Sequence, residues 1–281
     1  MTLPDKPKGR GREVEESALV ASARAAQIDV LQPENPHSAE FLAALRSLAP
    51  EVLVVASYGV IMKSTLLELA PHGALNVHGS LLPRWRGASP IQAALLAGDA
   101  LTGVSIQRIV LALDEGDVLL ARERAIGPHE TSGELFDALA LLGAEALVDA
   151  LDLLESGSAV FTPQDASKAT FARKLKKEQG AIVWSKSATE IERQVRALNP
   201  WPGARFRDAK GRELTVSAAR VVAASGTPGV VLEAKDRFVV ACGSDALELV
   251  ALVPAGKRAM GGAEFLRGAR IAVGEQMGST T

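Results

Sequence analysis

Cysteine is all but absent from this chain: Cys242 is the only one in 281 residues. That excludes a disulfide framework and thiol redox chemistry, and it fits a reducing compartment. Its setting, Val239-Val240-Ala241-Cys242-Gly243, reads as a buried strand. No stretch approaches the roughly 18 consecutive apolar residues of a membrane span. The first residues are polar and rich in Pro and Gly, so no secretory leader is expected and the cytoplasm is the expected location. The four histidines, His37, His72, His78 and His129, show no ligand spacing and have no cysteine partners, so no metal is expected. A Gly-x-Ser-x-Gly elbow is missing, which argues against a serine triad, and no internal repeat is present.

What is there is an ordinary globular composition, 47% hydrophobic, in a chain long enough for one large domain or two smaller ones. The net charge of -2 hides a division. Residues 1 to 162 hold 12 basic against 21 acidic side chains, a net of -9, while residues 163 to 281 hold 19 against 12, a net of +7. A basic module attached to an acidic one is the footprint expected of a part that meets nucleic acid, or simply a solubilising surface.

The first half alternates helical and strand patterns. Helices are predicted at 15–27, 38–48, 64–69, 90–97 and 132–154, the last with Thr131 as N-cap and Glu134 three residues on. Strands are predicted at 29–31, 51–56, 73–78, 103–110 and 118–126, the apolar run 51–56 reading as a strand covered on both faces. This alternation predicts an α/β domain with a Rossmann-like, mostly parallel sheet, a fold that places ligands at the carboxyl ends of strands. From about 158 to 177 the pattern dissolves into Gly, Ser, Pro and Lys and reads as a linker. A helix at 187–198 and short strands near 212–222, 229–233, 238–241 and 247–252 then predict a small OB-like β-barrel. The expected domains are 1–157 and 178–281.

The stretch Asn76-Val77-His78-Gly79-Ser80-Leu81-Leu82-Pro83-Arg84-Trp85-Arg86-Gly87 puts an amide, an imidazole and a tight turn at the end of a predicted strand. Asn76 and His78 are two apart, so their side chains leave the same face. An amide can donate to a developing oxyanion, and an imidazole can exchange a proton near neutral pH. Thirty-six residues after His78, Asp114-Glu115-Gly116-Asp117 can bring a carboxylate to orient the imidazole and stabilise its charged form. Taken singly, an Asn-x-His is more often a plain strand end and Asp-Glu-Gly-Asp an ordinary turn.

The joint pattern carries more. Asn76 to Gly87, Gly103-Val104 and Leu113 to Asp117 resemble the folate-dependent formyltransferase family. Phe171-Ala172-Arg173-Lys174-Leu175, Ile182-Val183-Trp184-Ser185, Arg196 to Ala204 and Pro254 to Met260 look like the methionyl-tRNA formyltransferase family, and the resemblance runs over nearly the whole chain. It implies transfer of a formyl group from 10-formyltetrahydrofolate to initiator methionyl-tRNA for translation initiation, by a monomer that uses no metal. By this resemblance Asn76, His78 and Asp114 are the catalytic positions. Ser80, Leu81, Leu82 and Pro83 form the folate-contacting loop, and Ser57, Tyr58 and Gly59 line the pteridine pocket. Lys6, Lys8, Arg10 and Arg12 stand for the family's basic loop at the tRNA acceptor end. Lys174, Lys176, Lys177, Arg193 and Arg196 are candidate phosphate contacts, which position a nucleic acid rather than read its bases.

In relatives a strand, a helix and a second strand precede that basic loop, whereas Met1 falls almost on it here. A βαβ unit of roughly 30 residues is expected upstream, its first strand lying beside residues 52–56. The alternatives are a folate-dependent formyltransferase or hydrolase with another acceptor (a sugar amine, a purine precursor or water), and a shortened product that binds tRNA or folate without catalysis.

Overall fold

The computed structural model describes residues 1–5, 7–8, 13–14 and 16–279. In the basic stretch near the start, β1 (Pro7–Lys8) pairs antiparallel with β2 (Glu13–Val14). Helix α1 (Ala18–Ala25) starts where the Ser17 hydroxyl accepts from the Val20 N–H, and α2 (Ala39–Ser47) where Ser38 does the same for Phe41. Each cap satisfies an orphaned helix N–H, worth about 1 kcal/mol. Residues 29–31 form no strand; Leu31 instead accepts a hydrogen bond from the Thr2 N–H at 2.9 Å. Pro33, two residues on, has no N–H to extend a ladder.

Then come β3 (Leu53–Val55), α3 (Ser64–Leu67), β4 (Ala74–His78), β5 (Arg86–Gly87), α4 (Pro90–Ala97), β6 (Leu101–Arg108), β7 (Val118–Ala125) and α5 (Ser132–Glu155). The central sheet runs β3-β4-β6-β7 and is mixed. β3 and β4 are parallel, as the alternation leads one to expect, but β4 with β6 and β6 with β7 are antiparallel. The loop 109–117 joins β6 to β7 without a helix, and so short a connection allows only the antiparallel pair. β3 pairs with β4 alone among the described strands, and Val54 is 42% exposed, so this strand is not covered on both faces. Long α5 begins with the Thr131–Glu134 capping box and packs Leu135, Leu139, Ala146 and Ala150 over the sheet against Leu75, Val104 and Ile106.

The segment read as a linker is bonded to this first domain. Thr162 bridges Val118, and β8 (Phe171–Ala172) pairs in parallel with β5. The carbonyl of Thr170 accepts from the Arg86 N–H, and that of Ala172 from the Ala88 N–H. Gly87 makes the close approach possible: its φ is +115°, and a Cβ there would sit 2.5 Å from the Ala172 carbonyl oxygen.

Helix α6 (Ala188–Ala197), capped by a Ser187–Glu190 box, leads into a curled antiparallel half-barrel. Its strands are β9 (Ala204–Arg207), β10 (Glu213–Val222), β11 (Val231–Ala234), β12 (Phe238–Ala241), β13 (Ala246–Pro254), β14 (Met260–Gly261) and, after α7 (Gly262–Ala269), β15 (Gly278–Ser279). The order is β11-β12-β13-β10-β9-β15, with β14 on β13. Residues 275–279 join the two ends: Val230 bridges Gln276, while β15 pairs with β9. Phe206 packs edge-on against Trp184 at 5.4 Å and stands near Phe238, and with Ile191, Val195 and Leu249 these fill the second core. α6 also serves the first core, which buries its Ala197.

Cys242 follows β12 and is buried, and desolvation pushes its thiol up to about 12. The thiolate is the nucleophile, so native protein should resist iodoacetamide at neutral pH and react only in denaturant. Mass spectrometry of the alkylated chain reads this directly.

Candidate active site

Alternation along β4 sends Asn76 and His78 to one face and Val77 to the other, where Val77 lines an apolar cavity of about 610 Å³ with Leu139, Gly143 and Leu147 of α5. Antiparallel register then sets Asn76 opposite Gln107 and His78 opposite Ser105. Directly opposed Cβ atoms lie about 4.5–5.5 Å apart, so four polar side chains share one patch of the β4–β6 ribbon.

Ser105 and Gln107 are almost completely buried, and buried polar groups need partners. The Ser105 hydroxyl donates to the Ser80 carbonyl at 2.8 Å and accepts from the Leu82 N–H at 3.0 Å, which fixes the 80–82 turn. The Gln107 amide donates to Asp114 Oδ1 at 2.9 Å. Asp114 Oδ2 accepts from the Gly87 N–H at 2.8 Å, so two neutral donors hold the carboxylate, one on each oxygen. Asp114 itself has φ +52°, a left-handed conformation that short polar residues adopt more readily than most.

Nδ1 of His78 lies 3.7 Å from Asp114 Oδ2, within ion-pair range but beyond a hydrogen bond. Nε2 lies 2.9 Å from the Trp85 carbonyl oxygen. A carbonyl only accepts, so this nitrogen carries the proton, leaving Nδ1 toward the carboxylate. The Asn76 amide, by contrast, makes no hydrogen bond among the described residues and is only half-buried. It is a donor without a protein acceptor, beside an imidazole and a carboxylate already held in place.

Trp85 has supports of its own. Its N–H donates to Thr170 Oγ1 at 2.9 Å and its indole to Asp99 Oδ2 at 2.8 Å, while Arg84 forks onto Asp99 at 2.8 and 2.5 Å. Burial pushes the Asp99 carboxyl upward, but the hydrogen bonds from Arg84 and Trp85 outweigh it and hold the group below its usual range. A depressed carboxyl contributes stability above its unfolded value and loses it as pH falls through the folded one. Asp99→Asn should therefore be less stable than wild type at neutral pH, with the gap closing as pH falls below about 4. Urea unfolding of both proteins across the acid range checks this.

Of the residues expected to contact folate, Ser80 is buried and donates to the Arg84 carbonyl at 2.6 Å, and Leu81 packs over Gly103. Ser57 lines the 610 Å³ cavity together with Gly79 and Ala88. Tyr58 lines a second cavity instead, with Leu3, Val52 and Met62; its phenol finds no partner among the described residues, and desolvation raises it. Gly59, at φ +73°, turns the chain after β3. Asn76, His78 and Asp114 are not lining residues of either cavity.

Lys6, Arg10 and Arg12 lie outside the described residues, and Lys8 falls in β1. Lys174, Lys176 and Lys177 are exposed. Arg193 and Arg196 are engaged within the protein: Arg193 packs on Gly98 and donates to the Ala97 carbonyl at 3.4 Å, while Arg196 pairs with Glu192 at 2.7 Å and donates to the Glu130 carbonyl at 3.2 Å. Sequence reasoning missed Gln107, Gln164 and the role of Arg86. Gln107 stands at the alternate position from Ser105 in β6, opposite Asn76, which marks it for the same sheet face once the register is known, whereas nothing marks Gln164 in its irregular segment. Among the described residues no three His, Cys, Asp or Glu converge as a metal site would require, and no helix is long and apolar enough to cross a membrane.

An unpaired amide donor beside a held imidazole and carboxylate suits the movement of a carbonyl group. The sequence profile of the formyl transferase family matches residues 1–151, and that of the formyl transferase C-terminal domain matches residues 174–270. Fold, site and profiles make this, by class, a formyl transferase. Curated relatives are similar over most of their length. The methionyl-tRNA formyltransferase of Anaeromyxobacter dehalogenans strain 2CP-1 is 51% identical over 89% of this chain and 81% of its own. Those of Magnetococcus marinus and Acidithiobacillus ferrooxidans are 44% and 46% identical over 99% of this chain and 89% of theirs. The chain belongs to the methionyl-tRNA formyltransferase family. Among solved structures, HypX from Aquifex aeolicus in complex with tetrahydrofolic acid superposes with a TM-score of 0.62 at 19% identity, covering 80% of this chain and 40% of that one. An N-formyltransferase from Helicobacter canadensis, in complex with folinic acid and dTDP-3-aminofucose, gives 0.62 at 14% identity over 84% of each chain. These two likenesses concern the fold.

Proposed function

We propose that the chain transfers a formyl group from 10-formyltetrahydrofolate to the α-amino group of initiator methionyl-tRNA. The observation that carries this reading is the Asn76 amide, which has no acceptor among the described residues and stands on the same sheet face as His78. As the amine adds to the formyl carbon, charge grows on the formyl oxygen, and the Asn76 N–H donates to it. His78 already carries a proton on Nε2; a second one on Nδ1, facing Asp114, gives a cation that steadies the same charge. The new C–N bond forms, the amine gives up a proton, and the bond to the folate nitrogen breaks as that nitrogen gains one, with Asp114 and water carrying it.

The Ser80–Pro83 turn and Ser57–Gly59 would hold the folate. They follow the carboxyl ends of β4 and β3, where polar backbone and the Ser57 and Ser80 hydroxyls stand beside the Asn76–His78 strand end. The exposed Lys174, Lys176 and Lys177 would meet the tRNA backbone, with Arg193 and Arg196 holding α6 against the first domain. Residues 1–157 would then act on the donor and 178–281 on the tRNA.

The test is formylation of initiator methionyl-tRNA by purified protein with 10-formyltetrahydrofolate, followed as formyl-methionine by mass spectrometry. Product supports the reading. Folded protein that makes none, or that formylates a sugar amine instead, overturns it.

A further inference from the structure

Behind the Asp114 turn stands a side chain that neither the motif nor the proposed chemistry uses. Gln164 lies in the segment between the two domains, two residues after Thr162 is bridged to Val118. Its amide donates to the carbonyl oxygens of Asp114 at 2.9 Å and Gly116 at 2.7 Å, and approaches Gln107 Oε1 at 3.3 Å. Its own carbonyl oxygen accepts from Arg86 Nε at 3.1 Å and Nη2 at 2.9 Å. The Arg86 side chain is only 4% exposed, and its remaining nitrogen pairs with Glu115 Oε1 at 3.1 Å. One glutamine therefore fastens the backbone of the 114–116 turn from behind, with three acceptors sharing its two N–H groups. It also satisfies part of a buried guanidinium, which is costly to leave unpaired. It also touches Gln107, the residue that holds Asp114 Oδ1 from the other side.

We propose that Gln164 is a positioning residue: it sets the Asp114 carboxylate against His78, and through it the inter-domain segment controls the geometry of the site. This rests on the reading of Asn76, His78 and Asp114 as the formyl-transfer site. The alternative is a glutamine that merely ties down a surface segment. The two differ in what they move. A tie changes the order of residues 162–172, whereas a positioning residue changes the surroundings of His78, which Gln164 does not touch.

Gln164→Ala and the similarly shaped but non-donating Gln164→Met are compared with wild type, with Asp165→Ala as control. Asp165 caps the neighbouring turn through the Ser167 N–H at 3.0 Å and belongs to the segment without reaching the site. The first readout is NMR of the imidazole Cε1–H and Cδ2–H signals, with His78 assigned through His78→Asn. Both Gln164 variants should move the His78 signals and leave those of His37, His72 and His129 in place, while the control moves none of them. The second readout is steady-state formylation, in which kcat should fall tenfold or more with KM for both substrates within about twofold, the pattern of a lost transition-state interaction. His78 signals that stay put in a folded Gln164→Met protein overturn the proposal, whether or not the chain transfers formyl. Absence of transfer by wild type refutes the functional reading instead, and the NMR comparison still decides this one. Equal falls in kcat for Gln164→Met and Asp165→Ala would also overturn it.

Discussion

Asn76→Ala should lower kcat for formyl transfer by about 10²–10³-fold, the typical loss when one preorganised donor to an oxyanion is removed. The size of the effect follows from what the amide does not do in the free protein. It has no acceptor among the described residues, so truncation should leave stability within about 0.5 kcal/mol of wild type, as for a substitution away from any buried network. KM for folate and for tRNA should hardly change, because the interaction is made only as charge develops. Asn76→Asp keeps the shape but turns a donor into an anion beside that charge, and should be at least as impaired. Steady-state kinetics and a thermal melt of both variants check this. A raised KM with kcat intact would make Asn76 a binding group.

The second large effect is Gly116→Ala. A Cβ there would overlap the carbonyl oxygen of Arg108, at the end of β6. The obstacle is backbone, with no flexible side-chain tip to swing aside, and that backbone is held where the Arg108 N–H meets the Asp117 carbonyl at 2.9 Å. The turn must therefore shift, taking Asp114 away from Gly87 and Gln107. Activity should fall about as far as for loss of the carboxylate itself, and stability by about 2–4 kcal/mol, in the tail of single-substitution effects that named steric conflicts produce. Gly268→Ala makes the contrast: it lies in α7 with open space around its position and should be neutral or stabilising by up to about 1 kcal/mol. Chemical unfolding of the two variants separates the cases.

The helices that carry caps were readable because a cap is local. Thr131 with Glu134 announces α5 within four residues, and the box is formed; the Ser187–Glu190 box that opens α6 is of the same kind. Asn76 and His78 were readable for the same reason, since strand alternation needs only adjacent positions. Spacing offers the Asp114–Asp117 turn as a source of a carboxylate for His78 but is weak support by itself, and the joint pattern of motifs singles out Asp114, because its place beside His78 depends on a 36-residue excursion and on the register of β4 with β6. Gln164 and β8 were beyond reach. Their partners lie some 50 to 85 residues away along the chain, and a Gly-, Ser- and Pro-rich segment shows no periodicity from which docking could be foreseen. Helix α7 is hidden by the Gly261-Gly262 pair on which it opens, and β9 by the Pro- and Gly-rich run 199–203 that directly precedes it and reads as a turn.

The parallel contact of β5 with β8 bears on the order in which a ribosome delivers this protein. Chain elongation is vectorial, and a loop of about 85 residues must be closed before Arg86 can meet Phe171, a cost that grows with loop length. A nascent chain that has emerged as far as residue 157 holds Asn76, His78 and Asp114, yet it still lacks the Gln164 amide for the Asp114 turn and the Thr170 hydroxyl for Trp85. The residues proposed for the reaction are thus synthesised first and their frame last, so that catalytic competence is expected to arrive only as the synthesis of the second domain begins.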